Sequence, residues 1–73
     1  MKDSVDILDV VALTEDLPER GLYSGQVGTI VEILETRVFE VEFSDDEGRA
    51  YAFVALKSEQ LLVLHYEPVE AGS

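Results

Sequence analysis

The sequence predicts an all-β domain, a small five-stranded barrel, and three observations carry that expectation. Five short apolar, β-branched or aromatic segments fall within 73 residues. Compact polar turns separate the later ones. Five strands left as an open sheet would expose two unpaired edges, and closing or nearly closing the sheet removes that liability.

Asp9-Val10-Val11-Ala12-Leu13 reads as the first strand. Thr14 to Ser24 follows as an irregular loop, because Pro18 and Gly21 interrupt any helix. It is longer than the usual connection of about 4–6 residues, which marks it as a candidate binding loop. Leu17 and Leu22 are expected to pin it to the body. Gly25-Gln26-Val27-Gly28-Thr29 reads as a tight turn feeding the second strand, Val27 to Leu34, and Val38 to Ser44 is the third.

Asp45-Asp46-Glu47-Gly48 is the clearest turn, with glycine supplying a left-handed position. Arg49 to Leu56 is the fourth strand, Lys57-Ser58-Glu59-Gln60 one short helical turn, and Leu61 to His65 the fifth strand. Residues 1–8 and 67–73 are expected to be flexible ends, leaving 9–66 as the folded body. A long first loop, tight later hairpins and one helical turn before the last strand describe an SH3-like barrel.

Opposed residues in an antiparallel pair share a face, so the pairing fixes the core. A three-residue loop Glu35-Thr36-Arg37 would set Ile33 against Phe39, Glu32 against Glu40, Val31 against Val41 and Thr29 against Phe43. The next hairpin would set Phe43 against Ala50, Val41 against Ala52 and Phe39 against Val54. One face then carries Val27, Thr29, Val31, Ile33, Phe39, Val41, Phe43, Ala50, Ala52, Val54 and Leu56, the expected core. The other carries Ile30, Glu32, Leu34, Val38, Glu40, Glu42, Tyr51 and Phe53. That mixture of apolar groups and glutamates has two readings: a face covered by the long loop or the N-terminal segment, or a surface for a partner or for weak self-association.

The formal net charge is −11. The charge is not confined to the ends: residues 9–66 hold Arg20, Arg37, Arg49 and Lys57 against twelve acids, leaving −8. Nucleic acid and anionic lipid both need a basic footprint, so direct binding of either is not expected. Acidity either keeps a small protein dispersed or steers a basic partner. There is no cysteine, hence no disulfide or thiolate metal site, and one histidine, His65, makes no metal cluster. Met1 to Asp6 lacks a basic start followed by an apolar run, and the apolar runs fall far short of the ~20 residues that span a bilayer. A cytoplasmic protein without cofactor or metal is expected.

Val10-Val11-Ala12-Leu13-Thr14-Glu15-Asp16-Leu17-Pro18-Glu19-Arg20-Gly21-Leu22, then Gly25-Gln26-Val27-Gly28-Thr29-Ile30-Val31-Glu32, resembles a family of small bacterial proteins of uncharacterised function. Val41-Glu42-Phe43 and Asp46-Glu47-Gly48 fit the same pattern. The resemblance runs from about residue 7 to residue 63. It implies an SH3-like fold and membership of compact bacterial gene pairs, sometimes of toxin–antitoxin type, and it carries over no catalytic residue. The Gly-x-x-Gly-x-Ile-Val element is shared with RNA-binding SH3-like modules, from which the acidic balance of this chain departs.

Reactive constellations are missing. Gly25-x-x-Gly28 lacks the Lys-Ser/Thr and helix of a phosphate loop and reads as a turn. Asp45-Asp46-Glu47 lacks calcium-loop spacing and reads as a solvated turn. His65 has no nucleophile near it in sequence, and Ser24, Ser44 and Ser58 have no evident base. Glu40 and Glu42 on an open strand face have no substrate cavity. An enzyme is not expected.

The leading expectation is a module that binds a basic protein, the neutralising half of a bacterial two-gene system. Its contact residues are Glu32, Glu40, Glu42, Tyr51 and Phe53 on the mixed face, with Glu15, Asp16, Glu19 and Tyr23 in the long loop. Carboxylates would speed encounter and aromatic anchors would hold the complex. Two other readings stay open: a structural subunit docked on a larger complex, and a nucleic-acid mimic occupying a basic groove.

Overall fold

The computed structural model describes residues 5–65, and these form one antiparallel sheet. Its strands are β1 (Val10–Leu13), β2 (Val27–Glu35), β3 (Val38–Ser44), β4 (Ala50–Lys57) and β5 (Leu61–Val63). The expected boundaries match to within two residues, and β3 matches at both ends. The order across the sheet is β4-β3-β2-β1-β5. β4 and β5 are therefore the two edges, and the barrel expected from the sequence is not closed. Short 3-10 turns at Pro18–Arg20 and Ser58–Gln60 complete the regular structure. Among the described residues no helix is long and apolar enough to cross a membrane.

β3 makes the clearest use of strand periodicity. Val-Phe-Glu-Val-Glu-Phe-Ser buries Phe39, Val41 and Phe43 on one face and turns Val38, Glu40 and Glu42 to the other. Val11 and Leu13 of β1, Ile30 of β2, and Val54 and Leu56 of β4 complete the inner face with them. The long loop lies over this side. Leu17 and Leu22 pair in an isolated bridge, Leu22 is fully buried and Leu17 packs against the core, so both pin the loop as expected.

Pairing differs from the expected register at three bulges. In β2 the chain pairs Ile30 with Val41 and Glu32 with Glu40, leaving Val31 unopposed. This extra residue resets the parity. Ile30, expected on the outer face, is fully buried, and Val31, expected in the core, is only partly so. The expected Val31–Val41 and Thr29–Phe43 pairs become Ile30–Val41 and Gly28–Phe43, while Ile33–Phe39 and Glu32–Glu40 stand as expected.

A second bulge leaves Leu34 out and pairs Glu35 with Val38, so the turn is the two residues Thr36 and Arg37 rather than three. Arg37 takes the left-handed conformation, φ 67°. Val27 and Ile33, expected in the core, are about half exposed. Both lie toward the ends of β2.

The third bulge is in β4. Phe43 pairs with Ala52, Val41 with Val54 and Phe39 with Leu56, two residues along from the expected pairing. A slip of two keeps the face and changes the neighbours. Ala50 leaves the core, and the bulkier Leu56 comes opposite Phe39. Ser44 pairs with Ala50, so Tyr51 is the residue left without a partner.

Of the ends expected to be flexible, residues 1–4 and 67–73 lie outside the described residues, as does Tyr66 of the expected body. Leu8 N–H donates to the Ile30 carbonyl at 2.7 Å, and Val5 packs against the core.

Candidate functional site

The outer face of the sheet is built by alternation from three strands. Row by row, Thr29 lies beside Glu42 and Glu42 beside Phe53; Glu32 lies beside Glu40 and Glu40 beside Ala55; Val38 lies beside Lys57. Phe53 is 55% exposed although it sits mid-strand. Glu32 is exposed, and Glu40 and Glu42 are partly covered by their neighbours. Glu32 and Glu40 are directly opposed like charges, an arrangement that destabilises a sheet. Among the described residues none of these three carboxylates is ion-paired. Among the described residues Lys57 is the one basic residue on the face and stands at its corner, opposite Val38.

Tyr51 does not join this face. The bulge turns it to the core side of the sheet, where its ring lies 6.4 Å from that of the buried Phe43. Its hydroxyl accepts a hydrogen bond from Gln26 Nε2 at 2.8 Å. Gln26 Oε1 in turn accepts the N–H of Tyr23. Gln26 thus joins the long loop to the start of β4 and brings Tyr23 and Tyr51 into one neighbourhood, each about half exposed.

The loop acids are spent differently. Asp16 Oδ1 accepts the Ser24 N–H at 2.9 Å and shapes the loop. Glu15 Oε2 accepts Gln60 Nε2 at 2.9 Å, fastening the loop to the second 3-10 turn. Glu19 is exposed in the first 3-10 turn. The expected single surface is therefore two. Glu32, Glu40, Glu42 and Phe53 lie on the outer face, while Asp16, Tyr23 and Tyr51 gather with Gln26 where the loop covers the core side. Gln26 carries no sequence signal of this role, since a glutamine after a turn glycine is ordinary. Ala55 and Lys57 could have been read from alternation with Phe53.

Other features are structural. Asp45 Oδ1 accepts the N–H groups of Glu47 (2.9 Å) and Arg49 (3.0 Å), so this carboxylate closes the turn. Arg49 and Glu47 form an exposed ion pair at 3.6 Å. Among the described residues no group of three or more His, Cys, Asp or Glu could hold a metal ion. A groove of about 610 Å³ at the β2–β3 turn is lined by Val5, Ile33 and Phe39 with Glu35, Thr36, Arg37 and Ser58. Among the described residues its lining has neither a histidine nor paired carboxylates.

No curated protein and no solved structure matches the chain. Residues 7–63 match the family model described as Domain of unknown function (DUF4926), and the chain belongs to that family.

Proposed function

We propose that the chain is a non-enzymatic, acidic protein-binding module whose outer sheet face captures a basic protein, as the neutralising half of a bacterial two-gene system does. The observation that carries this reading is Phe53, exposed at mid-strand directly beside Glu42, with Glu40 and Glu32 in the next row and without an ion pair among the described residues. An aromatic anchor flanked on one side by like charges costs the free protein something and serves a partner of opposite charge. The formal charge of −11 extends the same preference to long range. The strand order, the long loop and the 3-10 turn before β5 support an open SH3-like arrangement as its frame.

Capture of the tagged chain from its native cells, with mass spectrometry of what co-elutes, tests the reading. One small basic protein in stoichiometric amount is expected. Its expression alone should arrest growth, and co-expression of this chain should relieve the arrest. Loss of capture in the double variant Glu40→Gln/Glu42→Gln would assign the face. Recovery of the chain alone, or of a large multi-subunit complex, would overturn the neutralising role.

A further inference from the structure

We propose that the free edge of β4, around Phe53 and Ala55, takes up an extended basic segment of the partner as a sixth strand. This rests on the basic-partner reading above and adds how that partner is held.

The direction of the backbone groups in β4 follows from one hydrogen bond. Ser58 N–H donates to the Arg37 carbonyl at 2.9 Å. The register from there to the Phe43–Ala52 pair is unbroken. In an antiparallel ladder bonded and non-bonded pairs alternate. Leu56, Val54 and Ala52 therefore point their N–H and C=O groups at β3, and Phe53 and Ala55 point theirs away from the sheet. Among the described residues no strand pairs with β4 on that side.

This edge lacks the usual protection. Natural edge strands are shortened, charged, interrupted by proline or twisted away by bulges. β5, the opposite edge, has three residues. β4 has eight, with no charge before Lys57, and its bulge falls at Tyr51, before the open stretch. Both edges are free of acidic residues, and β4 is the longer of the two, uncharged from Ala50 to Leu56.

Its surroundings select the occupant. An added strand would lie about 4.8 Å from β4 and about twice that from β3. A side chain opposite Ala55 on the outer face would have only a methyl group between it and Glu40, a gap that a lysine or arginine stem can cross. A side chain opposite Phe53 would meet an exposed ring with Glu42 behind it, a setting suited to a cation. A second copy of this chain fits less well. Pairing β4 with its own symmetry mate would join two bodies of charge −11 and align their glutamates on one continuous face.

The probe is a synthetic octapeptide of alternating lysine and valine, titrated into the full chain at low salt. Two N-methylated versions share its sequence and charge. One is methylated on the amides that would face β4, the other on the alternate amides. Hydrogen exchange is followed at each β4 amide. The expected result is fast exchange at Phe53 and Ala55 in the free protein, and slowing at both when the parent peptide binds. The peptide methylated toward β4 should bind about tenfold or more weakly, and the other nearly as well as the parent. The double variant Glu40→Gln/Glu42→Gln should weaken the parent peptide without changing exchange in the free protein.

Equal binding by both methylated peptides, with affinity still dependent on Glu40 and Glu42, would overturn strand addition and leave the acidic face standing. Strand addition indifferent to the two glutamates would overturn the basic selectivity and the face together. Slow exchange at Phe53 and Ala55 in the free chain, accompanied by a dimeric mass, would overturn the proposal in favour of a second copy.

Discussion

Gly28 stands directly opposite Phe43, and the missing side chain of the one makes room for the fully buried ring of the other. A Cβ at Gly28 would come within 2.7 Å of Val41 Cγ1, 2.8 Å of the Glu42 carbonyl oxygen and 3.0 Å of Phe43 Cδ1. The backbone oxygen cannot move aside without disturbing the ladder. Gly28→Ala is therefore expected to destabilise the fold by about 1–3 kcal/mol, the ordinary cost of overpacking. Urea denaturation checks this; an unchanged midpoint would place the glycine elsewhere than in this contact.

The bulge at Val31 separates two isoleucines of the same strand. Ile30 is fully buried and Ile33 is 46% exposed. Ile30→Ala should cost about 2–4 kcal/mol, and Ile33→Ala less than about 1 kcal/mol. The unbulged register makes the opposite prediction, so equilibrium unfolding of the two variants decides between them.

Phe53 and Tyr51, two residues apart, should respond differently. Phe53→Ala is expected to leave thermal stability nearly unchanged and to weaken the captured partner by about tenfold or more. Tyr51→Phe removes only the hydroxyl that Gln26 bonds at 2.8 Å. It should leave partner affinity within about twofold, since one exposed hydrogen bond contributes little. Calorimetric titration of both variants tests whether the two aromatics act on one surface or two.

Glu32 faces Glu40 across the β2–β3 ladder. Glu32→Gln relieves a like-charge pair and should raise the melting temperature of the free chain by roughly 1–3 °C at low salt. The same change should slow association with a basic partner, and added salt should reduce the difference between variant and parent. Stopped-flow association at several ionic strengths reads this; a faster variant would count against a steering role for the glutamate.

The sequence by itself determined the number of strands, their limits to within two residues, the turn at Asp45–Gly48 and the two leucines that fasten the long loop. Each follows from a local rule: β-branched alternation, breaker residues, or an apolar residue inside a polar loop. β3 was legible to the residue because every second position in it is a large apolar group.

Parity was not legible in β2, because Ile30 and Val31 are adjacent, apolar and β-branched, and nothing local prefers one for the core. Tertiary packing decides it: only glycine fits at position 28 opposite Phe43, and the bulge at Val31 then turns Ile30 inward. In β4 the run Ala-Tyr-Ala-Phe-Val-Ala-Leu permits two registers of equal parity. The observed one brings Val54 and Leu56 against Val41 and Phe39, and it turns Tyr51 away from Phe53. A strand's period is a property of its own residues, whereas a bulge is settled by which neighbours fill the shared core best. The division of the expected surface into an acidic outer face and a Gln26-centred loop site follows from the bulge at Tyr51 and from the packing of the loop over the core.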